Sequence, residues 1–598
     1  MPEPSGERPP RAPARGAWLE LACRMLSYAL PFAVLLPHLN GEARFDTDLR
    51  LLRGLSWTGN SLTGAASAWV VQASYWLPLG TPAYRAALAS LLCLTCASGA
   101  VFSLTRSLLA ANTSRVAPAL ALIAALTVSL CAAAQREAEL AGGASLALAL
   151  SLLALQSLTR GPALHPQRAA VLGLLLGALL AERWVCLAVV ALGASFAWRM
   201  SRLRPSPRVL ACSALAAVAA LVLLWSPLAL RPWALYPFMD VGRFSAGEIV
   251  RDSASGVSML HRDFGFVASV LALAGGAVSA WRPGLRRAAY CLGAIVALDA
   301  LSAWLSRPLL GDLAALHLLA LAALAVAIAV AIESAIVALS RVKLPMTRGA
   351  AVFLVMADLT LAAAAAEEAA FARDDEVARG TEAMTREAIS RLPEGTALLV
   401  RSPALITRVL AARLVDQERP DLLLLGSSLS AEPRYAAALL RREPAMQQLL
   451  RDAALEGYPR EEALTIVADA RPLLCELDRA WDRRTVSHLV ADGLWLRYAP
   501  QPLGASDRRS AYPDLVQRAE AVASASLHER RADATTAALL RGRVVDAVRL
   551  AAALGDRDEL PLLVAAIERL VPDDAFAREL RARLSAGKDR IDWKALPE

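Results

Sequence analysis

The sequence contains almost no lysine. Of its 63 basic residues only Lys343, Lys588 and Lys594 are lysines, and the remainder are arginines. The net charge of +8 would on its own suggest a nucleic-acid-binding protein. However, there is no basic helix with interleaved aromatic residues, and many arginines lie in short segments between long apolar runs. Arginines in such positions set the orientation of membrane helices, so we expect no nucleic-acid partner.

Cysteine pairs and common catalytic signatures are scarce as well. Seven of the 8 cysteines lie in apolar segments, and only Cys475 lies in the polar C-terminal part of the chain. The cysteines therefore do not indicate the redox compartment. That C-terminal part also has no glycine-rich phosphate loop, nucleophile elbow or metal-binding cluster. The informative signal lies instead in the apolar runs and in the acids between them.

Long apolar runs dominate the first two thirds of the 598 residues. Hydrophobic residues make up 56% of the chain, and the mean hydropathy is +0.43. This pattern is typical of a polytopic membrane protein, and we predict a mainly α, helical membrane bundle of about eleven spans. The predicted spans lie near residues 18–39, 84–110, 116–134, 141–158, 169–181, 184–198, 209–230, 264–281, 289–305, 313–340 and 350–371.

The arginines predict how these spans are oriented. Arg8, Arg11 and Arg15 precede the first span, and clusters of arginine recur at every second connection. Because basic residues favour the cytoplasmic side, the N-terminus is predicted to be cytoplasmic. An odd number of spans then places the C-terminal part on the opposite, periplasmic side. We therefore predict a multi-pass protein of the cytoplasmic (inner) membrane.

The remainder of the chain suggests a division into segments. Residues 1–16 are rich in proline and arginine and are predicted to be a disordered cytoplasmic tail, followed by a transmembrane domain over 17–371. Short Leu/Val runs alternating with helical patterns predict a soluble α/β domain over 372–505. Residues 506–598 resemble a pair of tetratricopeptide-like hairpins. Between the first two spans, residues 59–79 are predicted to form an interfacial or re-entrant helix.

Acidic residues cluster in the predicted periplasmic connections. Asp46 and Asp48 follow the first span, Glu137 lies beside Arg136 between two later spans, and Glu182 is followed by Arg183. At a helical rise of about 1.5 Å per residue, the span over 169–181 is short for a membrane crossing. Glu182 is therefore expected to lie below the membrane surface and to face a cavity. Carboxylates at such depth are energetically costly and usually functional.

Several stretches together resemble a known family. They are the acidic loop of residues 42–50, the stretch 77–85, the small acidic loop predicted over 135–139, and the strand-like stretches 391–400, 419–425, 471–475 and 493–498. This distributed pattern resembles the protein O-mannosyltransferase-like branch of the bacterial GT-C membrane glycosyltransferases. Such enzymes move a sugar from a polyprenyl-phosphate carrier to an acceptor at the outer side of the membrane. One departure is that the family's His-Pro-Pro-Gly turn is replaced here by residues 59–64, Gly-Asn-Ser-Leu-Thr-Gly.

The resemblance implies roles for individual residues. Asp46 would be the general base or orient the acceptor, Asp48 is the alternative, and Glu137 resembles the acid of the second loop. Guanidinium groups match phosphate oxygens, so four arginines are candidates for binding the donor phosphate. They are Arg136, Arg183, Arg231 and Arg243. The expected partners are the lipid-linked sugar donor, a protein, lipid or glycan acceptor, and the bilayer.

Other interpretations of the same residues stay open. Asp46 and Asp48 could be solvated loop residues with an arginine partner, or an Asp-x-Asp pair that holds a divalent cation, although no cofactor is certain. Glu182 with Arg183 could be an ion pair that fixes helix packing. A GT-C-like scaffold without catalysis is one alternative function. A transporter or lipid-carrier translocase is another, but the sequence has no convincing internal repeat.

Overall fold

The computed structural model describes most of the chain. The described residues are 15–39, 48, 51–52, 64–109, 116–139, 143–159, 165–183, 186–187, 190–191, 206–230, 256–282, 285–305, 313–341, 347–371, 376–426, 430, 433–526, 534–585 and 593–596. Within them, an N-terminal membrane half is helical, and a C-terminal half combines helices with a β-sheet.

The membrane half is a helical bundle. Its helices are α1 (Arg15–Leu35), α2 (Ala65–Ser74), α3 (Pro82–Leu109), α4 (Ala117–Ser129), α5 (Ala132–Glu139), α6 (Gly143–Thr159), α7 (Pro166–Glu182), α8 (Pro207–Leu230), α9 (Gly256–Trp281), α10 (Arg286–Leu305), α11 (Leu313–Arg341) and α12 (Thr347–Phe371). Helix α11 is the most buried of the candidate spans, and it packs against α3, α4, α6, α9, α10 and α12.

The apolar helices are those of a multi-pass membrane protein. Among the described residues, four helices are long and apolar enough to cross a membrane, within α1, α3, α8 and α11, and a bent helix pair would make a fifth. Shorter apolar helices cover parts of α6, α9 and α12. The helical membrane bundle is confirmed in this general form, whereas the number of eleven spans stays a prediction.

The connection between α4 and α5 differs from the sequence-based expectation. Residues 135–139 were expected to form a small acidic loop, but they belong to helix α5, which is bent by 62° from α4. Alanine, glutamine, arginine and glutamate all favour helix, which explains why the chain resumes a helix after the bend. The Gln135 Nε2 donates to the Leu130 carbonyl oxygen over 2.6 Å, so a carbonyl at the bend is satisfied.

Close helix contacts depend on glycine. A Cβ atom placed on Gly173 of α7 would lie 2.1 Å from the Ser213 carbonyl oxygen of α8, and one on Gly177 would lie 2.5 Å from the Ala217 carbonyl oxygen. The two glycines are four residues apart and therefore lie on the same face of α7. Small residues at this spacing allow membrane helices to approach closely. Packing against α8 therefore fixes the position of α7, whose last residue is Glu182.

The C-terminal half contains a five-stranded mixed sheet in the order β2-β1-β3-β5-β4. The strands are β1 (Ala397–Val400), β2 (Leu423–Gly426), β3 (Leu473–Cys475), β4 (Leu489–Asp492) and β5 (Trp495–Tyr498). Strand β1 pairs in parallel with β2 on one side and with β3 on the other, and β5 is antiparallel to both β3 and β4. Four of these strands lie in the four stretches that carried the resemblance, and β4 does not.

Helices surround the sheet and continue beyond it. They are α13 (Glu376–Thr385), α14 (Pro403–Leu414), α15 (Pro433–Arg442), α16 (Gln447–Glu456), α17 (Glu461–Ala470), α18 (Arg483–Val486), α19 (Ala505–Ser526), α20 (Ala534–Leu554), α21 (Leu560–Leu570) and α22 (Ala575–Ser585). Residues of the sheet and of α19 to α22 belong to one apolar core. The same core includes Leu51, Leu52 and Val71 of the membrane half, so the two halves share buried contacts.

Candidate functional site

Glu182 is a fully buried carboxylate at the last residue of α7. Its Oε2 accepts a hydrogen bond from the Ser67 backbone N–H over 2.7 Å, and its carbonyl oxygen accepts one from the Gly64 N–H over 3.0 Å. Both donors lie at the N-terminus of α2, where backbone N–H groups favour an anion. The C-terminus of α7 disfavours negative charge, so α2 supplies the compensating environment.

Gly143 leaves the space that the Glu182 side chain occupies. A Cβ atom on Gly143, the first residue of α6, would lie 1.5 Å from the Glu182 Oε1. The Ser67 Oγ would be 3.0 Å from the same Cβ position. Three helix termini, those of α2, α6 and α7, therefore meet at one carboxylate.

Glu137 lies on α5 beside the same group of helices. It is 7% exposed, and its carbonyl oxygen accepts from the Ser90 Oγ over 2.9 Å. A small cavity between α2, α3 and α6 has both serines in its wall, and its lining is Ser67, Val70, Val71, Ala86, Ser90, Cys93 and Leu146. Glu182 and Glu137 are thus connected through Ser67 and Ser90 to one cavity, although they are 45 residues apart in the sequence.

The two arginines next to these acids have different surroundings. Arg183 directly follows α7 and is half-buried, and its Nη1 donates to the Glu182 carbonyl oxygen over 3.2 Å. Arg136 is exposed on α5, whereas its neighbour Glu137 is buried. Arg183 is consequently fixed at the C-terminal end of α7, whereas Arg136 is exposed on α5.

Asp48 lies in the contact between the two halves of the protein. It is fully buried and forms an ion pair with Arg408 of α14, which is 1% exposed. Arg408 also pairs with Asp416, directly beyond the end of α14. One guanidinium therefore joins two carboxylates from distant parts of the chain. The arrangement differs from a solvated loop with a neighbouring arginine, because Arg408 is 360 positions away from Asp48.

The end of α2 is fixed next to this ion pair. The Tyr75 hydroxyl donates to the Leu51 carbonyl oxygen over 3.0 Å, and the Arg85 Nη1 donates to the Tyr75 carbonyl oxygen over 3.0 Å. Arg85 belongs to α3 and also binds the carbonyl oxygens of Leu79 and Gly80. Helix α2 is consequently attached to the α/β part at one end and to Glu182 at the other.

Three of the predicted site residues lie outside the described part of the chain. They are Asp46, the predicted general base, and the predicted phosphate ligands Arg231 and Arg243. Residues 59–63, which replace most of the family's His-Pro-Pro-Gly turn, lie outside it too. The roles of these residues remain predictions.

Solved structures with weak similarity to this chain include the following two. ArnT from Cupriavidus metallidurans, in a structure bound to undecaprenyl phosphate, is 14% identical, with a TM-score of 0.44 over 77% of this chain and 93% of that chain. The archaeal oligosaccharyltransferase AglB from Archaeoglobus fulgidus is 10% identical, with a TM-score of 0.45 over 78% and 70%, respectively. No family model and no curated protein matches the chain. At these values the similarity assigns neither a family nor an activity to this chain.

Buried charged groups also occur elsewhere among the described residues, in both halves of the protein. In the membrane half, the His317 Nδ1 of α11 lies 3.0 Å from the Asp299 Oδ2 of α10, which is the interhelical hydrogen bonding expected for such an acid. Among the described residues, no group of three or more His, Cys, Asp or Glu side chains could hold a metal ion. Asp46, one member of the Asp-x-Asp pair, lies outside the described residues.

In the C-terminal half, such a group lies at the carboxyl end of the parallel strands. Glu476, directly after β3, accepts from the backbone N–H groups of Arg401 and Ser402 over 2.5 and 2.7 Å. Its Oε1 lies 2.5 Å from the Nη2 of Arg543 on α20, and Arg543 is also 3.7 Å from Asp546. Burial raises the pKa of Asp546 to about 6, and the nearby Arg543 opposes that rise. The group links the sheet to the C-terminal helices.

Sequence reasoning missed most of the side chains that organise the site. Ser67, Ser90 and Gly143 have no distinctive local pattern, and Arg408 lies in a stretch of ordinary helix composition. A partial signal existed for Gly143, since the Gly142-Gly143 pair stands directly before an apolar run. The partners of Glu182 could be found only from the packing of three helices.

Proposed function

We propose that this protein is an integral membrane glycosyltransferase that moves a sugar from a polyprenyl-phosphate-linked donor to an acceptor. The observation that carries the proposal is the buried Glu182 carboxylate, which accepts from the Ser67 N–H at the N-terminus of α2, next to a small cavity lined by Ser67 and by Ser90, the donor to the Glu137 carbonyl oxygen. A carboxylate is retained in such a place at an energetic cost, which favours a functional role. The reaction is proposed to take place at the periplasmic face of the inner membrane.

The proposed chemistry is a displacement at the anomeric carbon of the sugar. The bond between this carbon and the phosphate oxygen breaks, and the polyprenyl phosphate leaves with the electron pair. A new bond forms to the acceptor oxygen, whose proton passes to a carboxylate acting as general base. Asp46 remains the proposed base, with Glu137 and Glu182 as cavity acids that orient the acceptor.

The arginines fit the other half of this chemistry. The Arg183 guanidinium is fixed at the C-terminal end of α7 by its hydrogen bond to the Glu182 carbonyl oxygen. A guanidinium there would stabilise the charge that develops on the departing phosphate. Arg136, Arg231 and Arg243 are proposed for the same role.

Transfer from a radiolabelled polyprenyl-phosphate sugar by the purified protein in detergent tests this proposal. Glu182→Gln keeps the shape of the side chain and an acceptor for the Ser67 N–H, but it removes the charge. We expect this variant to fold normally and to lose at least about 100-fold in kcat, the range for removing one preorganised electrostatic group. Asp46→Ala is expected to lose turnover as well.

Asp358→Asn is the matched control, because Asp358 is a buried acid of α12 that we have not placed in the site. Its turnover should equal that of the wild type. Equal turnover of Glu182→Gln and wild type would contradict a role for this carboxylate. Absence of turnover in the wild type with every carrier length and sugar tested would contradict the enzymatic function.

The burial of Asp48 favours a second candidate function. An acid of the first predicted periplasmic loop that is enclosed in an ion pair with Arg408 serves assembly rather than proton transfer. If the wild type shows no turnover, a GT-C-like scaffold that acts through its α/β part becomes the better explanation.

A further inference from the structure

Arg408 connects the chain before α2 to the α/β part of the protein. Its guanidinium pairs with Asp48 on one side and with Asp416 on the other, and both Asp48 and Arg408 are almost completely buried. A buried charge without its partner is strongly unfavourable, so each member of the pair holds the other in place.

The segment that follows Asp48, which Arg408 holds in place, contacts α2. Leu51 and Leu52, three and four residues after Asp48, are buried in the same apolar core as Val71 of α2 and the residues of α14. The Tyr75 hydroxyl, directly after α2, donates to the Leu51 carbonyl oxygen over 3.0 Å. The C-terminal end of α2 is thereby attached to the segment that Arg408 anchors.

The opposite end of α2 carries the contact to the candidate site. Ser67, in the first turn of this helix, donates its backbone N–H to the Glu182 carboxylate. A helix of ten residues is about 15 Å long and moves as one rigid element. A displacement at Tyr75 is therefore transmitted to Ser67, and with it to the carboxylate.

We propose that Arg408 is a positioning residue, which acts through Asp48 and α2 to set the place of Glu182 in the candidate site. This inference rests on the proposed function, because it assigns a kinetic consequence to the contact. Arg408 is not among the residues that line the cavity between α2, α3 and α6. Its loss should consequently lower kcat and leave the KM for the donor unchanged.

The test replaces the ion pair by apolar side chains of similar size, in the double variant Asp48→Leu/Arg408→Met. Removing both charges avoids leaving one of them buried and unpaired, so the protein is expected to fold. Arg541→Met/Asp574→Leu is the control, because it removes a partly buried ion pair between α20 and Asp574, the residue before α22, far from α14 in the chain. The measurements are kcat, KM and the hydrogen exchange of the peptide that covers α2.

We expect the Asp48→Leu/Arg408→Met variant to exchange the amides of α2 at least about tenfold faster. Its kcat should fall by about 100-fold, as for a misplacement of about 1 Å in an active site. The control variant should change neither quantity. In a Glu182→Gln background, removing the Asp48–Arg408 pair should lower kcat no further, because the two changes act on the same group.

Each contrary result has a distinct meaning. Unchanged exchange in α2 would overturn the inference whatever the activity. Faster exchange with a kcat equal to that of the wild type would also overturn it. If the wild type has no turnover with any donor, the proposed function fails, and the exchange of α2 then decides alone whether Arg408 positions this helix.

Discussion

Glu182 in the membrane half and Glu476 in the α/β part use the same local device. Both carboxylates are buried, and both accept hydrogen bonds from backbone N–H groups at the N-terminus of a helix, α2 for Glu182 and α14 for Glu476. In each case the N–H groups and the helix dipole stabilise a negative charge.

The two carboxylates differ in what else surrounds them. Glu476 lies 2.5 Å from the buried Arg543, which belongs to a network with Asp546 and Arg549. Glu182 lies against the backbone of Gly143, and its N–H donor, Ser67, lines a cavity. One carboxylate is therefore part of an ion network that joins the sheet to α20, and the other lies where three helices meet beside a cavity. Contact with a helix N-terminus therefore does not by itself identify a functional acid.

The largest expected difference between the two sites is in stability. Glu476→Gln should lower the free energy of unfolding by about 3–5 kcal/mol, because Arg543 stays buried after its closest partner is neutralised. Glu182→Gln should lower it by about 1 kcal/mol or less, since the amide still accepts from Ser67. Denaturant titration of both variants in detergent measures the two values. Equal losses would show that the carboxylates have equivalent structural roles.

The next largest effect should come from Gly143→Ala. The new methyl group would occupy the space of the Glu182 Oε1, and the end of that flexible side chain would move. Displacing this buried carboxylate breaks its hydrogen bond to the Ser67 N–H, so the free energy of unfolding should fall by about 1–3 kcal/mol. The kcat should fall by about 10- to 100-fold because the carboxylate leaves its position. Gly276→Ala on α9 is the control, since a Cβ there meets nothing within 4 Å. A kcat equal to that of the control would show that the position of Glu182 is unimportant.

The sequence predicted the helices of the membrane half better than the site. Long apolar runs identify buried helices because their signal is local, as for α3 and α11. The bend before α5 was missed because the residues on both sides favour helix, so no local breaker marks it. Strand β4 was missed for a related reason, since its four residues provide little periodicity.

The contacts of the site could not be predicted because they join distant parts of the chain. Asp48 and Arg408 are 360 positions apart, and Ser67 and Glu182 are 115 positions apart. The burial of Glu182 agrees with its position at the end of a predicted span, whereas its depth in the membrane stays a prediction. Which residue faces which acid depends on the packing of α2, α6, α7 and α14, and this packing has no signature in a single sequence.

The smallest expected effect is the pH dependence of stability, and it distinguishes the ion network of Glu476 from the site of Glu182. Burial raises the pKa of Asp546 to about 6 from its ordinary value of 3.8, against the opposing charges of Arg543 and Arg549. The folded protein therefore binds more protons than the unfolded chain between these two values. The contribution of Asp546 to stability consequently falls as the pH rises through this window.

Asp546→Asn removes this dependence and keeps an acceptor for the Leu477 N–H. Relative to the wild type, the variant should gain stability as the pH rises from 4 to 6, by at most about 1.4 kcal/mol per pH unit. Unfolding titrations of both proteins at several pH values measure this difference, and Asp469→Asn, at an exposed position of α17, serves as the control outside the network. A stability difference that stays constant with pH would mean that Asp546 is charged in the folded protein throughout the window. The Glu476 network would then be fully ionised, and Arg543 would be compensated by two carboxylates rather than by Glu476 alone.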